Sequence, residues 1–193
     1  MPDIEIPHPD EAKEIAENPF TKRIALCVAI YAVVLAVAAA GGSNAGKDML
    51  MEQLKATNKW GQFQAKSIRE ANYINEFEKL EVEMLNSDIS ADARAKLEKR
   101  MVRITGKLDE YKVEKAAIME EAKAHEHERD DAQKRDPYFD FAEVALQIAI
   151  VLASVAMLSG RRWAFAVSVT LAVIGSALTL NGYTLLDGGK LLG

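Results

Sequence analysis

The sequence predicts an all-α integral membrane protein: three transmembrane helices, with a long antiparallel coiled-coil hairpin between the first and the second. Three observations predict it. Apolar residues crowd into one run near the N-terminus and two near the C-terminus, while charges fill the middle. Each run is long enough to cross a bilayer. The middle carries a heptad repeat on its second half and a cluster of turn residues at its centre.

The first apolar run covers residues 24–40 and contains no charge. Asn18 followed by Pro19 reads as an N-cap with proline at the first helical position, where its missing N–H costs nothing. A helix from there across the run has about 22 residues, roughly 33 Å at 1.5 Å per residue. That spans a hydrocarbon core of about 30 Å. A cleaved signal peptide is the rival reading, with Lys22 and Arg23 as the charged flank and residues 38–40 as the small-residue site. The long polar leader before the run argues for the uncleaved helix. That leader, residues 1–18, is acidic, and residues 10–17 could form a short helix within it. The single cysteine, Cys27, lies in the apolar run, so no intrachain disulfide is possible.

Gly41, Gly42, Ser43, Asn44 and Gly46 end or bend the first span. The hairpin follows over residues 44–136, with its turn near 86–90. Ser90 with Asp92 starts the second arm, and Pro137 stops it. On that arm Leu97, Met101, Ile104, Leu108, Tyr111, Lys115, Ile118, Ala122, His125, Arg129 and Ala132 alternate spacings of four and three. This is a heptad seam. The first arm is less regular: Leu50, Leu54, Trp60, Phe63, Ile68, Ala71, Ile74, Phe77, Leu80 and Met84. Arms of about 63 and 70 Å close an antiparallel hairpin that stands off the bilayer. With the turn centred near Ser87 and Asp88, partners should have numbers adding to about 175. Lys115 then neighbours Trp60, Tyr111 neighbours Gln64, and Ile104 neighbours Ala71.

Residues 137–193 form a transmembrane hairpin with a short tail. Its spans lie at about 141–159 and 163–181, separated by Gly160, Arg161 and Arg162. The arginines and Trp163 suit the headgroup level. Placing Lys22, Arg23, Arg161 and Arg162 in the cytoplasm puts the N-terminus inside and the hairpin stalk outside.

Net charge is −3 over residues 1–23, −2 over 24–136 and zero over 137–193. No region has the basic excess of a nucleic-acid binder, so no nucleic acid is expected. The string Trp60-Gly61-Gln62-Phe63-Gln64-Ala65-Lys66-Ser67-Ile68-Arg69 is the most unusual local text. A glycine inside a helix costs about 1 kcal/mol against alanine, and close approach of another helix at Gly61 would offset it. The packing reading makes Trp60 and Phe63 a layer, with Gln64 and Ser67 setting register. That string after a first span and before a terminal membrane hairpin resembles domain of unknown function 4337, a group of small bacterial membrane proteins. The resemblance covers about residues 19–183. It implies a bacterial source; with the orientation read from the basic flanks, that makes a multi-pass protein of the inner, cytoplasmic membrane with a periplasmic stalk. It carries no activity and no catalytic residue.

Small residues recur at helical spacing: Ala32, Ala36 and Ala40 in the first span, Ala145, Ala149 and Ala153 in the second, Ala164, Ser168, Ala172 and Ser176 in the third. Such faces let membrane helices approach closely, and together with Tyr111, Lys115 and the layer around Trp60 they suggest a homo-oligomer. Glu143 and Gln147 are the intramembrane polar candidates for an ion path. The competing reading makes Asp140 to Glu143 a capping box at the interface. His125-Glu126-His127-Glu128 is not a ready metal cluster, because positions two apart on a helix face different ways. A zinc site there would need partners from another chain, so no metal and no cofactor is expected.

The sequence thus points to a non-enzymatic, membrane-anchored structural or interaction protein. Its expected partners are its own copies, the lipid bilayer and possible membrane-protein partners. The alternative is a homo-oligomeric channel or transport accessory, with Ser168, Thr170, Ser176, Thr179, Asn181 and Gln147 lining the pore.

Overall fold

A computed structural model describes residues 18–86 and 88–186. The acidic leader, with its candidate short helix, and the C-terminal tail after residue 186 lie outside the described residues. The described chain is all-helical: α1 over Pro19–Met84, α2 over Ala91–Ser159 and α3 over Arg162–Thr184. Each of the three contains a segment long and apolar enough to cross a membrane. The chain divides into two compact units, one of Met1–Asp48 with Asp131–Gly193 and one of Met49–Asp130.

The helix boundaries follow local chemistry. Asn18 Oδ1 accepts the backbone N–H of Phe20 at 2.9 Å, so Asn18 caps α1 with Pro19 behind it. Ser90 Oγ accepts the N–H of Ala93 at 3.3 Å and caps α2. Between α2 and α3, Gly160 takes a left-handed φ of 64°, a conformation that glycine adopts without steric cost.

In the first unit most interior side chains are small and many large ones lie outside, with Ile24, Tyr31, Tyr138, Phe139 and Leu146 the large residues inside. On α1 the buried residues include Ile24, Tyr31, Ala38 and Ala45, each seven residues from the next, which is one helical stripe, with Gly41 beside it. On α2 they are Ala132, Tyr138, Phe139, Ala142, Leu146, Ala149, Ala153 and Ala156. On α3 they are Ala164, Ser168, Ala172, Gly175, Thr179 and Gly182. Leu26, Val33, Val151, Leu158 and Val173 are among the exposed large residues. Small interior residues bring backbones close, and Ser168 Oγ donates a buried hydrogen bond to the carbonyl of Ala149 at 2.7 Å.

Phe139 shows what the glycines do. Its ring is almost fully buried. A Cβ on Gly41 would overlap it, and one on Gly182 would meet it at 2.9 Å. One on Gly42 would lie 3.2 Å from its Cβ. Tyr183 stacks edge-on against the ring at 5.0 Å between centroids and donates its hydroxyl proton to the Val37 carbonyl at 3.1 Å. Gly175 serves Leu146 in the same way, with 2.8 Å between an added Cβ and Leu146 Cγ.

Two expectations about helix ends are corrected here. α1 runs unbroken through Gly41, Gly42 and Gly46. At Gly41 and Gly42 the space for Phe139 offsets the helix cost of glycine. α2 runs unbroken through Pro137. Proline removes one donor there, and the acceptor it leaves lies on Gln133, an exposed residue. The helix therefore does not restart at Asp140, and Asp140 to Glu143 is no capping box.

In the second unit α1 and α2 run antiparallel, and cross-arm contacts give the register. Arg100 binds Glu76, His125 meets Glu52, Lys66 binds Glu114, and Lys115 binds Glu70. The residue numbers in these pairs add to between 176 and 185. All exceed the 175 expected from the turn centre. Helical side chains lean toward their own N-terminus, so each long side chain covers a patch preceding its own Cα. In an antiparallel pair both leans add, and the sum rises.

Candidate functional site

The most organised chemistry among the described residues is the polar seam between the arms of the second unit. Every position expected on the α2 seam, from Leu97 to Arg129, is buried or half-buried. α1 contributes only part of the expected face. Trp60, Phe63, Phe77, Leu80 and Met84 are buried or half-buried, but Leu50, Leu54, Ile68, Ala71 and Ile74 are exposed. In their place stand Glu52, Lys59, Lys66, Glu70, Tyr73 and Glu76, all half-buried.

The seam alternates ion pairs with aromatic rings. Lys115 Nζ lies 2.5 Å from Glu70 Oε2 and 5.1 Å from the Phe63 ring centre. Lys66 Nζ lies 2.5 Å from Glu114 Oε2 and 5.3 Å from the Tyr111 ring centre. Both geometries fit a cation over a π face. Lys115 thus reaches Phe63, three residues from its expected neighbour Trp60, and also Glu70, ten residues from it, while Tyr111 meets Lys66, two residues from Gln64. Tyr111 also packs on Tyr73 at 5.8 Å. Trp60 Nε1–H donates to Glu126 Oε1 at 2.8 Å, and Lys59 pairs with Glu121.

At the end of this ladder Glu52, His125 and Glu128 converge. His125 Nδ1 lies 2.6 Å from Glu52 Oε2, and Lys55 Nζ lies 2.5 Å from Glu52 Oε1. One ligand-type atom from each of Glu52, His125 and Glu128 falls within 4.8 Å of the others. The hydrogen bond from Lys55 holds the Glu52 carboxyl below its ordinary range, with His125 adding to the effect and burial opposing it. The same logic lowers Glu121 through Lys59 and Glu110 through Lys107. The α2 histidines do diverge as the sequence implies. What sequence spacing could not reveal was the carboxylate that α1 brings to His125.

The other expected site residues separate into groups. Trp60, Phe63, Ser67, Tyr111 and Lys115 face the seam, whereas Gly61 and Gln64 are exposed. A Cβ on Gly61 would meet nothing within 4 Å, so α2 does not approach there. Ala164, Ser168 and Ala172 are buried within the bundle and Ser176 is half-buried, while Ala32, Ala36 and Ala40 face outward. Glu143 is half-buried with an oxygen 3.7 Å from the position of a Cβ on Gly42, and Gln147 is exposed. Among the suggested pore residues, Thr170, Ser176 and Thr179 donate to carbonyls one turn back in their own helix. Ser168 donates to α2, so these four hydroxyl protons are already committed.

No curated protein and no solved structure gives a significant match to the chain. A family model does match, over residues 20–185, described as Domain of unknown function (DUF4337). That span takes in all three helices, and the chain belongs to this family.

Proposed function

We propose that the protein is a non-enzymatic, membrane-anchored structural protein that assembles with copies of itself. In this reading the three apolar segments cross the bacterial cytoplasmic membrane with the N-terminus inside. Arms α1 and α2 form a coiled-coil stalk on the far side, and a face of α1 meets the same face of another copy. The basic flanks Lys22, Arg23, Arg161 and Arg162 support the orientation. The outward large residues and small interior of the first unit support insertion, since lipid-facing positions favour large apolar side chains and helix contacts favour small ones.

One observation carries the self-assembly. In the second unit α1 turns five charged residues toward α2, and Leu50 and Leu54 away from it. Glu52, Lys59, Lys66, Glu70 and Glu76 all engage α2. Leu50, Leu54, Thr57, Gly61, Gln64, Ile68, Ala71 and Asn75 are all exposed and follow heptad spacing. Leu50 is 66%, Leu54 58% and Ile68 63% exposed. The flanking Met51, Gln53, Asn58, Ala65 and Asn72 are uncharged as well. This uncharged strip is about 37 Å long. Two copies can meet along it in parallel without opposing like charges, and Gly61 leaves room for close approach.

The test is the mass of the full-length protein in mild detergent and in lipid nanodiscs, for the native sequence and for Leu54→Glu with Ile68→Glu. A discrete oligomer that the double substitution converts to monomer is expected. A native protein that is monomeric in both media would refute the proposal. An oligomer untouched by the substitutions would remove this strip as its contact.

A further inference from the structure

We propose that Glu52, His125 and Glu128 form a site for a divalent transition metal of the zinc class, bridging the two arms. His125 and Glu128 are three residues apart on α2, so they share a face. Glu52 comes from α1, and its Oε2 already lies 2.6 Å from His125 Nδ1. All three ligand atoms fall within 4.8 Å of one another. A tetrahedral zinc ion with bonds of about 2.0–2.1 Å sets its ligand atoms roughly 3.3 Å apart. The ion would replace the proton shared by His125 and Glu52, so these two atoms move apart by about 0.7 Å from 2.6 Å, and rotation of the flexible, exposed Glu128 side chain brings in the third ligand.

Two further observations favour a ligand set over a chance cluster. Lys55 holds Glu52 Oε1 at 2.5 Å and leaves Oε2 directed at His125. A carboxylate fixed through one oxygen and offering the other is how outer partners orient metal ligands. Glu128, by contrast, makes no hydrogen bond or ion pair among the described residues. Its carboxylate is an exposed acceptor beside a histidine and a second carboxylate. One imidazole and two carboxylates suit zinc better than calcium or magnesium, which prefer all-oxygen shells. Three protein ligands leave the fourth position to water.

The experiment is a titration of chelator-stripped full-length protein in mild detergent with Co2+ alone, read by its visible absorption, followed by displacement with Zn2+. One equivalent per chain with the strong bands of a tetrahedral site is expected, whatever the oligomeric state. Glu52→Gln, His125→Gln and the exposed-site variant Glu128→Gln should each weaken binding at least about tenfold, and Lys55→Met by about tenfold. His127→Ala and His8→Ala should leave it unchanged. Circular dichroism of the metal-free variants separates lost ligation from lost folding, and Glu128→Gln keeps the test valid should the buried variants unfold. Absence of saturable binding, or binding that survives both His125→Gln and Glu128→Gln, overturns the proposal. Neither result bears on self-assembly, which is read from mass.

Discussion

The socket around Phe139 predicts a change of sign. Gly182→Ala brings a methyl to 2.9 Å from the Phe139 ring carbons, well inside the 3.5–4.0 Å of good packing. Overpacking of this kind costs about 1–3 kcal/mol, offset by about 1 kcal/mol of helix propensity gained over glycine. Gly182→Ala should therefore destabilise the native protein by roughly 0–2 kcal/mol. Phe139→Ala removes roughly 100 Å³ of ring; an open void adds about 2.4 kcal/mol to the lost transfer free energy, for about 3–5 kcal/mol in all. In that background the alanine methyl at 182 has room, the clash disappears, and only the propensity gain remains. Gly182→Ala should then stabilise by up to about 1 kcal/mol. The coupling between the two sites is thus about 1–3 kcal/mol. The assay is unfolding of the four proteins of the cycle by sodium dodecyl sulfate in mixed micelles, followed by helical circular dichroism. Equal effects of Gly182→Ala in both backgrounds, within about 0.5 kcal/mol, would refute the socket.

Two further expectations concern charge. Lys115 and Glu70 are 20% and 15% exposed, so Lys115→Ala strands a half-buried carboxylate and should cost about 1–2 kcal/mol in thermal unfolding, whereas Lys96→Ala, whose partner Asp92 is 80% exposed, should cost under about 0.5 kcal/mol. Glu52, Glu110 and Glu121 titrate below their ordinary 4.5, so their stabilisation is complete above pH 4.5 and disappears as pH falls through the lowered values. Asp136 runs the other way: burial, with Asp140 nearby, raises it above 3.8. Its folded form holds the proton more tightly, and stability is lost as pH rises from 3.8 through the raised value. Asp136→Asn should accordingly raise the melting temperature at pH 7 and have no such effect below pH 3.8, as a pH series of thermal melts will show.

The α2 seam was legible because its apolar face and its partner-facing face coincide. Leu97, Met101, Ile104 and Leu108 mark it, and the four-three spacing extends it correctly through Lys115, His125 and Arg129. α1 was not legible by the same rule. It has two candidate faces, and hydrophobicity selects the one with Leu50, Leu54 and Ile68. The face that meets α2 is chosen by pair chemistry, with Glu70 against Lys115 and Lys66 against Glu114, and a single helix pattern does not record which charges find opposite charges. Glycine and proline misled for a related reason. Gly41 and Gly42 read as breakers locally, yet their role is set by a ring from residue 139. Pro137 reads as a stop, yet α2 carries on past it. The capping signals at Asn18 and Ser90 were legible because their partners lie within three residues. The convergence on His125 was invisible because Glu52 is 73 positions away.

The small-residue face of α3 also changes the usual map of what substitutions the chain accepts. In a water-soluble domain, trimming an interior side chain does the damage and enlarging a surface one is harmless. Here the interior of α3 is already alanine, serine, threonine and glycine, so there is little left to trim, and added volume is what the bundle cannot absorb. The outward positions have the opposite tolerance: Val33, Val151 and Val173 can become leucine or isoleucine freely, while a charge at any of them meets the bilayer of the proposed membrane state. A saturation library scored for folding should therefore show an upper size limit inside and a polarity limit outside.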